Sequence, residues 1–171
     1  EKVRSMVIGR GVDPQQLAAR YAQLINTSIV GLPEEIRVGL HLCRGNLQGS
    51  WLSEGGYETI ASLIFDKVEV DTFFLEYDDF RSGGFEPLRY FSQDKVAVLG
   101  LITTKSPHLE KADDIKRRVE QASRYVSMDN LAISPQCGFS STVSGNPLSV
   151  DDQWRKLELL VKVADDIWGG S

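Results

Sequence analysis

Residues 95–102 read Lys-Val-Ala-Val-Leu-Gly-Leu-Ile, and residues 71–76 read Asp-Thr-Phe-Phe-Leu-Glu. Both runs are almost continuously apolar, which is typical of parallel strands buried on both faces of a sheet. Two further short runs predict strands at 37–43 and 130–134, with the sequences Arg-Val-Gly-Leu-His-Leu-Cys and Asn-Leu-Ala-Ile-Ser. The chain therefore has four predicted strands, and the middle two indicate a parallel sheet.

Helical patterns lie between these strands. Apolar residues recur at helical spacing in four segments, 14–30, 56–67, 109–126 and 150–168. The last segment follows Ser149, a helix-capping residue type, with Asp152 three residues later. We expect this helix to bury an apolar face made of Trp154, Leu157, Leu160, Val161, Ala164 and Trp168.

The alternation of helices and strands predicts an α/β domain with right-handed crossovers, spanning residues 1–171. A doubly wound sheet and a (β/α)8 barrel both satisfy this pattern, and four strands are half of a barrel. A complete barrel takes about 250 residues. No Gly-x-Gly-x-x-Gly turn follows the first strand, so a dinucleotide-binding fold has no support in the sequence.

Composition narrows the class of protein. The formal net charge is −5 and the pI is about 5.1, so the strongly basic face of a nucleic-acid-binding protein is not expected. No apolar run approaches the roughly 18 to 20 residues that a membrane helix needs. The chain has only two cysteines, which favours a cytoplasmic protein over a disulfide-stapled secreted domain and leaves a single disulfide possible.

Four residues with metal-binding side chains fall at the ends of predicted strands. His41 and Cys43 are two residues apart, so both side chains point to the same face of the first strand. Glu76 ends the second strand, and Cys137 follows the fourth. Chemistry in parallel α/β folds gathers at the carboxyl ends of strands, and thiolate, imidazole and carboxylate are ligands of Zn²⁺. The pattern favours a metal site.

Each residue also has a simpler interpretation when taken alone. A cysteine at a strand end is commonly a small buried apolar residue. A histidine on a strand is commonly a hydrogen-bonded core residue. Glu76 alone fits a structural carboxylate paired with Arg44 or Arg81.

Three motifs carry a family resemblance. They are His-Leu-Cys-Arg-Gly-Asn at 41–46, Phe-Phe-Leu-Glu-Tyr-Asp at 73–78 and Ser-Pro-Gln-Cys-Gly-Phe at 134–139. In their order and spacing they resemble the C-terminal catalytic domain of cobalamin-independent methionine synthase, most closely its short bacterial single-barrel members. The similarity runs from about Ala18 to Trp168.

The resemblance implies the C-terminal half, about four βα units, of a TIM (β/α)8 barrel. It also implies zinc as cofactor, with His41, Cys43, Glu76 and Cys137 as ligands. The implied activity is methyl transfer to the sulfur of homocysteine, with methyl-folate as the usual donor. The zinc would convert the substrate thiol, which is mostly protonated at neutral pH, into a thiolate nucleophile.

The sequence departs from the family in two places. The early strands of the family's barrel, which bind the amino-acid substrate, have no counterpart in this sequence. We therefore expect self-association or a missing N-terminal half that completes the barrel. Where the family has a proton-donating histidine, this chain has Thr103 or Thr104. Lys105 and His108 are therefore weak catalytic candidates, although a solvated loop is the simpler interpretation of Lys105.

Other candidate residues lie close to the ligands. Arg44 and Asn46 are weak candidates for binding a substrate carboxylate, since arginine binds carboxylates bidentately. Asp78 and Asp79 are candidates either for orienting His41 or for capping a turn. Two other functions stay open: a related zinc thiol alkyltransferase with a different thiol or donor, and an inactive half-barrel that only binds metal or a partner.

Overall fold

A computed structural model describes residues 2–169 of the chain. Within that range the strands are β1 (Gly39–Leu42), β2 (Thr72–Glu76), β3 (Val96–Ile102) and β4 (Leu131–Pro135). The α-helices are α1 (Lys2–Gly9), α2 (Pro14–Ile29), α3 (Ala61–Lys67), α4 (Ala112–Ala122) and α5 (Val150–Trp168). Short 3-10 helices occupy the connections at Phe80–Ser82, Glu86–Tyr90 and Met128–Asn130. All four predicted strands and all four predicted helices are confirmed. Helix α1 was not predicted, since its eight residues are too few to show a helical period.

The order of the strands decides between the two possible architectures. The sheet is parallel throughout, and its spatial order β1-β2-β3-β4 is the order of the chain. A doubly wound sheet reverses this order at a switch point, whereas a barrel keeps it. Sequential right-handed crossovers also place every connecting helix on the same face of the sheet. The fold is therefore α/β, with four parallel strands arranged as half of a TIM barrel. An α-helix follows β1, β3 and β4, whereas two 3-10 helices connect β2 to β3.

The two faces of the sheet differ in burial. Side chains that point towards the helices, such as Phe73, Leu75 and Leu99, are almost completely buried in one apolar core. Phe74 points to the opposite face and is 38% exposed, although β2 lies in the middle of the sheet. Because side chains alternate along a strand, this second face is the inside of the half-barrel, and it is open.

The buried face of α5 differs from the expectation. Trp154 and Val161 are 57% and 60% exposed, whereas Val163 and the stem of Lys156 are completely buried. Helix α5 carries apolar residues on more than one side, and contact with β4 and α4 selects the side that is buried. The exposed apolar stripe of α5 consists of the exposed Trp154 and Val161 together with half-buried Leu157, and it lines a groove of about 520 Å³. Among residues 2–169, no helix has both the length and the apolar character needed to cross a membrane.

Candidate metal centre

Three of the predicted ligands meet at the carboxyl end of the sheet. The ligand atoms of His41, Cys43 and Cys137 all lie within 4.8 Å of one another. His41 lies on β1 and Cys43 directly follows it, whereas Cys137 follows β4 at the other edge of the sheet. A flat sheet would hold these two edge strands about 14 Å apart, given a spacing of about 4.8 Å between neighbouring strands. The curvature of the sheet and the turn after β4 therefore bring the three side chains together.

A close approach between β3 and the segment after β4 positions Cys137. The ladder shifts its register between Gly100 and Ile102, and the Gln136 N–H donates to the Ile102 carbonyl at 2.8 Å. A side chain on residue 100 would place its Cβ 2.7 Å from the Gln136 Cα. Glycine at this position therefore allows the backbone that carries Cys137 to pass close to β3.

The protonation of the ligands depends on their surroundings. Burial lowers the pKa of the His41 imidazole, and the Glu76 carboxylate opposes this shift. The imidazole is therefore neutral at neutral pH and keeps a lone pair for a metal. Burial is also the main factor that raises the pKa of the Cys43 thiol, and a backbone hydrogen bond from Gly45 opposes it. Neighbouring Cys137 raises the Cys43 pKa further, and a bound cation would counteract these shifts by stabilising the Cys43 thiolate.

Glu76 lies beside this group but does not join it. Its side chain is completely buried, and Oε2 accepts a hydrogen bond from the Arg44 backbone N–H at 2.6 Å. The other oxygen, Oε1, lies 3.3 Å from Arg81 Nη2 and 3.2 Å from Lys105 Nζ. The structure therefore brings three of the four predicted ligands together and pairs the fourth with two cations. The pairing with Arg81 matches the simpler interpretation of Glu76.

The two candidates for substrate binding serve the structure of the loops. Arg44 is buried, and its guanidinium donates to the carbonyls of Gly55 and Glu76 at 2.6 Å and 2.9 Å. The Asn46 amide donates to the Thr104 hydroxyl at 3.0 Å and to the Gly138 carbonyl at 3.3 Å. Both side chains thus hold the loops around the centre in place.

The weak catalytic candidates lie in different surroundings. The Lys105 side chain is only 7% exposed and pairs with Glu76 and Asp78, which excludes a solvated loop position. The side chain of His108 lies in an exposed stretch, and its backbone carbonyl accepts a hydrogen bond from Lys156.

The two aspartates next to Glu76 have separate roles. Asp78 pairs with Lys105 Nζ at 3.0 Å. Asp79 accepts from the Arg81 N–H at 2.9 Å and caps the 3-10 helix that follows, as the turn-cap interpretation predicted. Arg81 belongs to the centre's surroundings, and the sequence suggested it only as an alternative partner of Glu76.

A small cavity adjoins two of the three ligands, His41 and Cys137, on the open face of the sheet. It has a volume of about 300 Å³ and is lined by His41, Phe74, Leu75, Ser134, Pro135, Gln136, Cys137 and Gly138. Gln136 is buried, and its Oε1 accepts from the Thr104 hydroxyl at 2.6 Å. Sequence reasoning did not single out Gln136, and its place next to Cys137 was the available signal. The arrangement has room for a small molecule beside a soft, sulfur-rich ligand set.

The comparisons with known proteins agree with this geometry. Residues 11–165 match the catalytic domain of the cobalamin-independent synthases. The chain belongs to the cobalamin-independent methionine synthase family. Two uncharacterised proteins of Bacillus subtilis, YxjG and YxjH, are 50% and 45% identical to it over 169 residues. Those 169 residues are 98% of this chain and 45% of each relative.

Solved structures of family members share the fold. A protein from Listeria monocytogenes assigned as a vitamin B12-independent methionine synthase superposes with a TM-score of 0.73 at 36% identity, covering 93% of this chain and 43% of that one. A B12-independent methionine synthase from Shewanella in complex with selenomethionine gives 0.69 at 22% identity, covering 86% and 42%. The chain therefore spans less than half the length of these relatives.

Proposed function

We propose that this family member is part of a zinc-dependent methyltransferase that methylates the thiol of homocysteine to give methionine. The observation that carries the proposal is the group of His41, Cys43 and Cys137, whose ligand atoms lie within 4.8 Å of one another. Two sulfurs and one imidazole nitrogen suit Zn²⁺ and disfavour the hard cations Mg²⁺ and Ca²⁺. Glu76, the remaining ligand implied by the family, lies close enough to influence the pKa of both His41 and Cys43.

Individual residues of the chain have separate roles in the proposed reaction. When bound, zinc would supply the positive charge that deprotonates a substrate thiol at neutral pH. His41 stays neutral because burial lowers the pKa of its imidazole, so it is available as a ligand. The cavity beside Cys137 would hold the reacting sulfur, and its apolar wall, formed in part by Phe74, would exclude water.

The bond changes balance as a simple methyl transfer. The substrate thiol loses its proton, and its sulfur forms a bond to the methyl carbon. The bond between that carbon and the donor breaks, and the electron pair leaves with the donor, which then takes up a proton. The proposed donor is a methyl-folate or another methyl compound, since Thr103 or Thr104 replaces the family's proton-donating histidine.

The partners of this activity are also proposals. The open face of the sheet needs a second set of strands to enclose the cavity, so we propose that a copy of the chain or an N-terminal barrel half provides it. A cytoplasmic location fits a thiol-dependent activity, because thiols stay reduced there. A related thiol alkyltransferase is the second candidate, and the threonine in place of the histidine favours it.

The test is methionine formation by the purified, zinc-loaded protein. Homocysteine is supplied with methyl-folate, with its polyglutamated form and with non-folate methyl donors, and the product is quantified by mass spectrometry. Methionine from any of these donors supports the proposal. Methylation of another thiol but not of homocysteine would favour the second candidate. Reduced protein that binds no zinc would favour an inactive half-barrel.

A further inference from the structure

Four ionisable side chains form a buried charge cluster: Glu76, Asp78, Arg81 and Lys105. Its member Glu76 lies near the candidate metal centre. The side chains of Glu76, Asp78 and Arg81 are at most 1% exposed. Glu76 Oε1 contacts both cations, and Lys105 contacts both anions. Two negative and two positive charges compensate one another, which makes their burial tolerable.

The two cations of the cluster are held in different ways. Arg81 is fixed from several sides, because it pairs with Asp79 at 2.6 Å and lies 4.2 Å from the ring centre of Trp51. Lys105 is a flexible side chain with a single point charge. It lies 3.0 Å from Asp78 Oδ2 and 3.2 Å from Glu76 Oε1. Lys105 therefore keeps one carboxylate partner if Glu76 moves away, so release of Glu76 does not leave a buried charge unpaired.

Glu76 is thus placed between two competing positive charges. The amine of Lys105 lies 3.2 Å from Glu76 Oε1. The Glu76 charge also acts on His41 and Cys43, which together with Cys137 would hold a cation. A carboxylate that joins two thiolates adds a third negative charge to the metal ligands. A substrate thiolate would do the same and needs the same place. By attracting the Glu76 carboxylate, Lys105 would therefore favour binding of the substrate thiolate to the metal.

We propose that Lys105 is a positioning residue that holds the Glu76 carboxylate away from the three metal ligands and so keeps a place open for the substrate thiol. The inference rests on the proposed metal centre and adds a residue that acts through Glu76. Lys105 follows the position where the family's histidine is replaced by threonine, and its buried amine lies 3.2 Å from Glu76 Oε1. Its role is to determine how well the Glu76 carboxylate competes with the substrate thiol for the metal.

The test measures zinc affinity by competition with a chelator. Lys105→Met removes the charge but keeps a long apolar stem, so Glu76 becomes a better ligand and zinc should bind about tenfold more tightly. Homocysteine affinity for the same zinc-loaded protein, measured by calorimetry, should fall. Lys116→Met is the matched control, since Lys116 forms an ion pair with Asp166 on the surface, and it should change neither affinity.

Loss of a nearby positive charge would by itself favour zinc, so a double mutant separates the two explanations. In a Glu76→Gln background, Lys105→Met should change zinc affinity by less than about twofold, because the carboxylate through which Lys105 acts is gone. A tenfold gain that persists in that background would overturn the proposal, as would unchanged zinc affinity in the single variant. Wild-type protein that binds no zinc would instead refute the proposed function.

A second variant, Asp78→Asn, tests the proposal independently in case Lys105→Met does not fold. Asp78→Asn removes the other partner of Lys105, so the amine binds Glu76 more strongly and zinc affinity should fall. Loss of a nearby negative charge also weakens a cation site by itself, so this fall supports the proposal only if it shrinks to less than about twofold in the Glu76→Gln background. A fall that persists in that background overturns the proposal, as do effects of the same sign for Lys105→Met and Asp78→Asn. Circular dichroism establishes that each variant is folded.

Discussion

At the scale of single residues, the side chains at the candidate centre differ in how strongly other groups of the protein bind them. The sulfurs of Cys43 and Cys137 lie within 4.8 Å of a ligand nitrogen of His41, and neither cysteine is in a disulfide. Glu76 in contrast accepts hydrogen bonds from the Arg44 backbone and from two side-chain cations. We therefore expect a soft metal to depend mainly on the thiols, with the carboxylate as the more exchangeable ligand.

We expect Cys137→Ala to abolish stoichiometric zinc binding. Among residues 2–169, the substitution removes the only candidate ligand that approaches from the β4 edge, and His41 and Cys43 alone form an incomplete site. Zinc per chain is measured by elemental analysis after gel filtration under reducing conditions. Ser144→Ala, an exposed position in the loop that follows, is the control. Unchanged zinc content in the cysteine variant would contradict the assignment.

Glu76→Gln should weaken zinc binding less than Cys43→Ala does. The Glu76 carboxylate already has protein partners, whereas loss of Cys43 removes one of two thiolate ligands. Chelator competition gives both affinities, and urea unfolding checks that the loss of the buried Glu76 charge has not unfolded the protein. Equal losses of affinity would show that the carboxylate is as firmly bound as the thiolate.

At the scale of elements, the contact between β3 and the segment after β4 determines where the second cysteine lies. Gly100 packs against the backbone of Gln136 and against the Leu75 carbonyl of β2. Three strand ends therefore meet at a point where there is no room for a Cβ atom. The stability of this packing and the geometry of the centre depend on the same glycine.

We expect Gly100→Ala to destabilise the fold by about 1 to 3 kcal/mol and to lower zinc affinity. The added Cβ would lie 2.7 Å from the Gln136 Cα and 2.8 Å from the Leu75 carbonyl oxygen, so the backbone next to Cys137 must shift. Chemical denaturation and chelator competition measure the two effects. Gly138→Ala is the matched control, because its Cβ would meet no atom within 4 Å. A Gly100 variant as stable as this control would show that the approach is easily relieved.

At the scale of the whole molecule, the half-barrel leaves apolar surface uncovered in two places. Phe74 is exposed on the open face of the sheet, and the exposed apolar stripe of α5 lies on the outside. Within the described part of the chain, β1 and β4 are the edge strands of the sheet, and edge strands present backbone groups that no neighbouring strand pairs. Covering apolar surface contributes roughly 25 cal/mol per Å², which favours association of these surfaces.

We therefore expect the purified 171-residue chain to associate with itself or with a segment that completes the barrel. Light scattering over a dilution series at low micromolar concentration measures the mass. Phe74→Lys places a charge on the open face and should shift the mass towards that of the monomer. A well-dispersed monomer of 19.0 kDa for the unaltered chain would refute the expectation.

Local patterns in the sequence were sufficient for the elements and for three members of the centre. The apolar runs at 71–76 and 95–102 predicted buried parallel strands, and the structure has β2 and β3 there. Strand periodicity placed His41 and Cys43 on one face, and the convergence of strand ends placed Cys137 near them. These inferences succeeded because each depends on the geometry of one strand or on a general property of parallel sheets.

Only the tertiary structure decided the roles of the remaining residues. Lys105 is buried because it meets Glu76 and Asp78, which are 29 and 27 residues away in the chain. Arg44 became a structural residue for the same reason, since its partners include the Glu76 carbonyl. Helix α5 buries a different side from the one its apolar pattern suggested, because β4 and α4 select it. Contacts between distant segments determine which charges pair and which apolar faces are covered, and no local pattern encodes them.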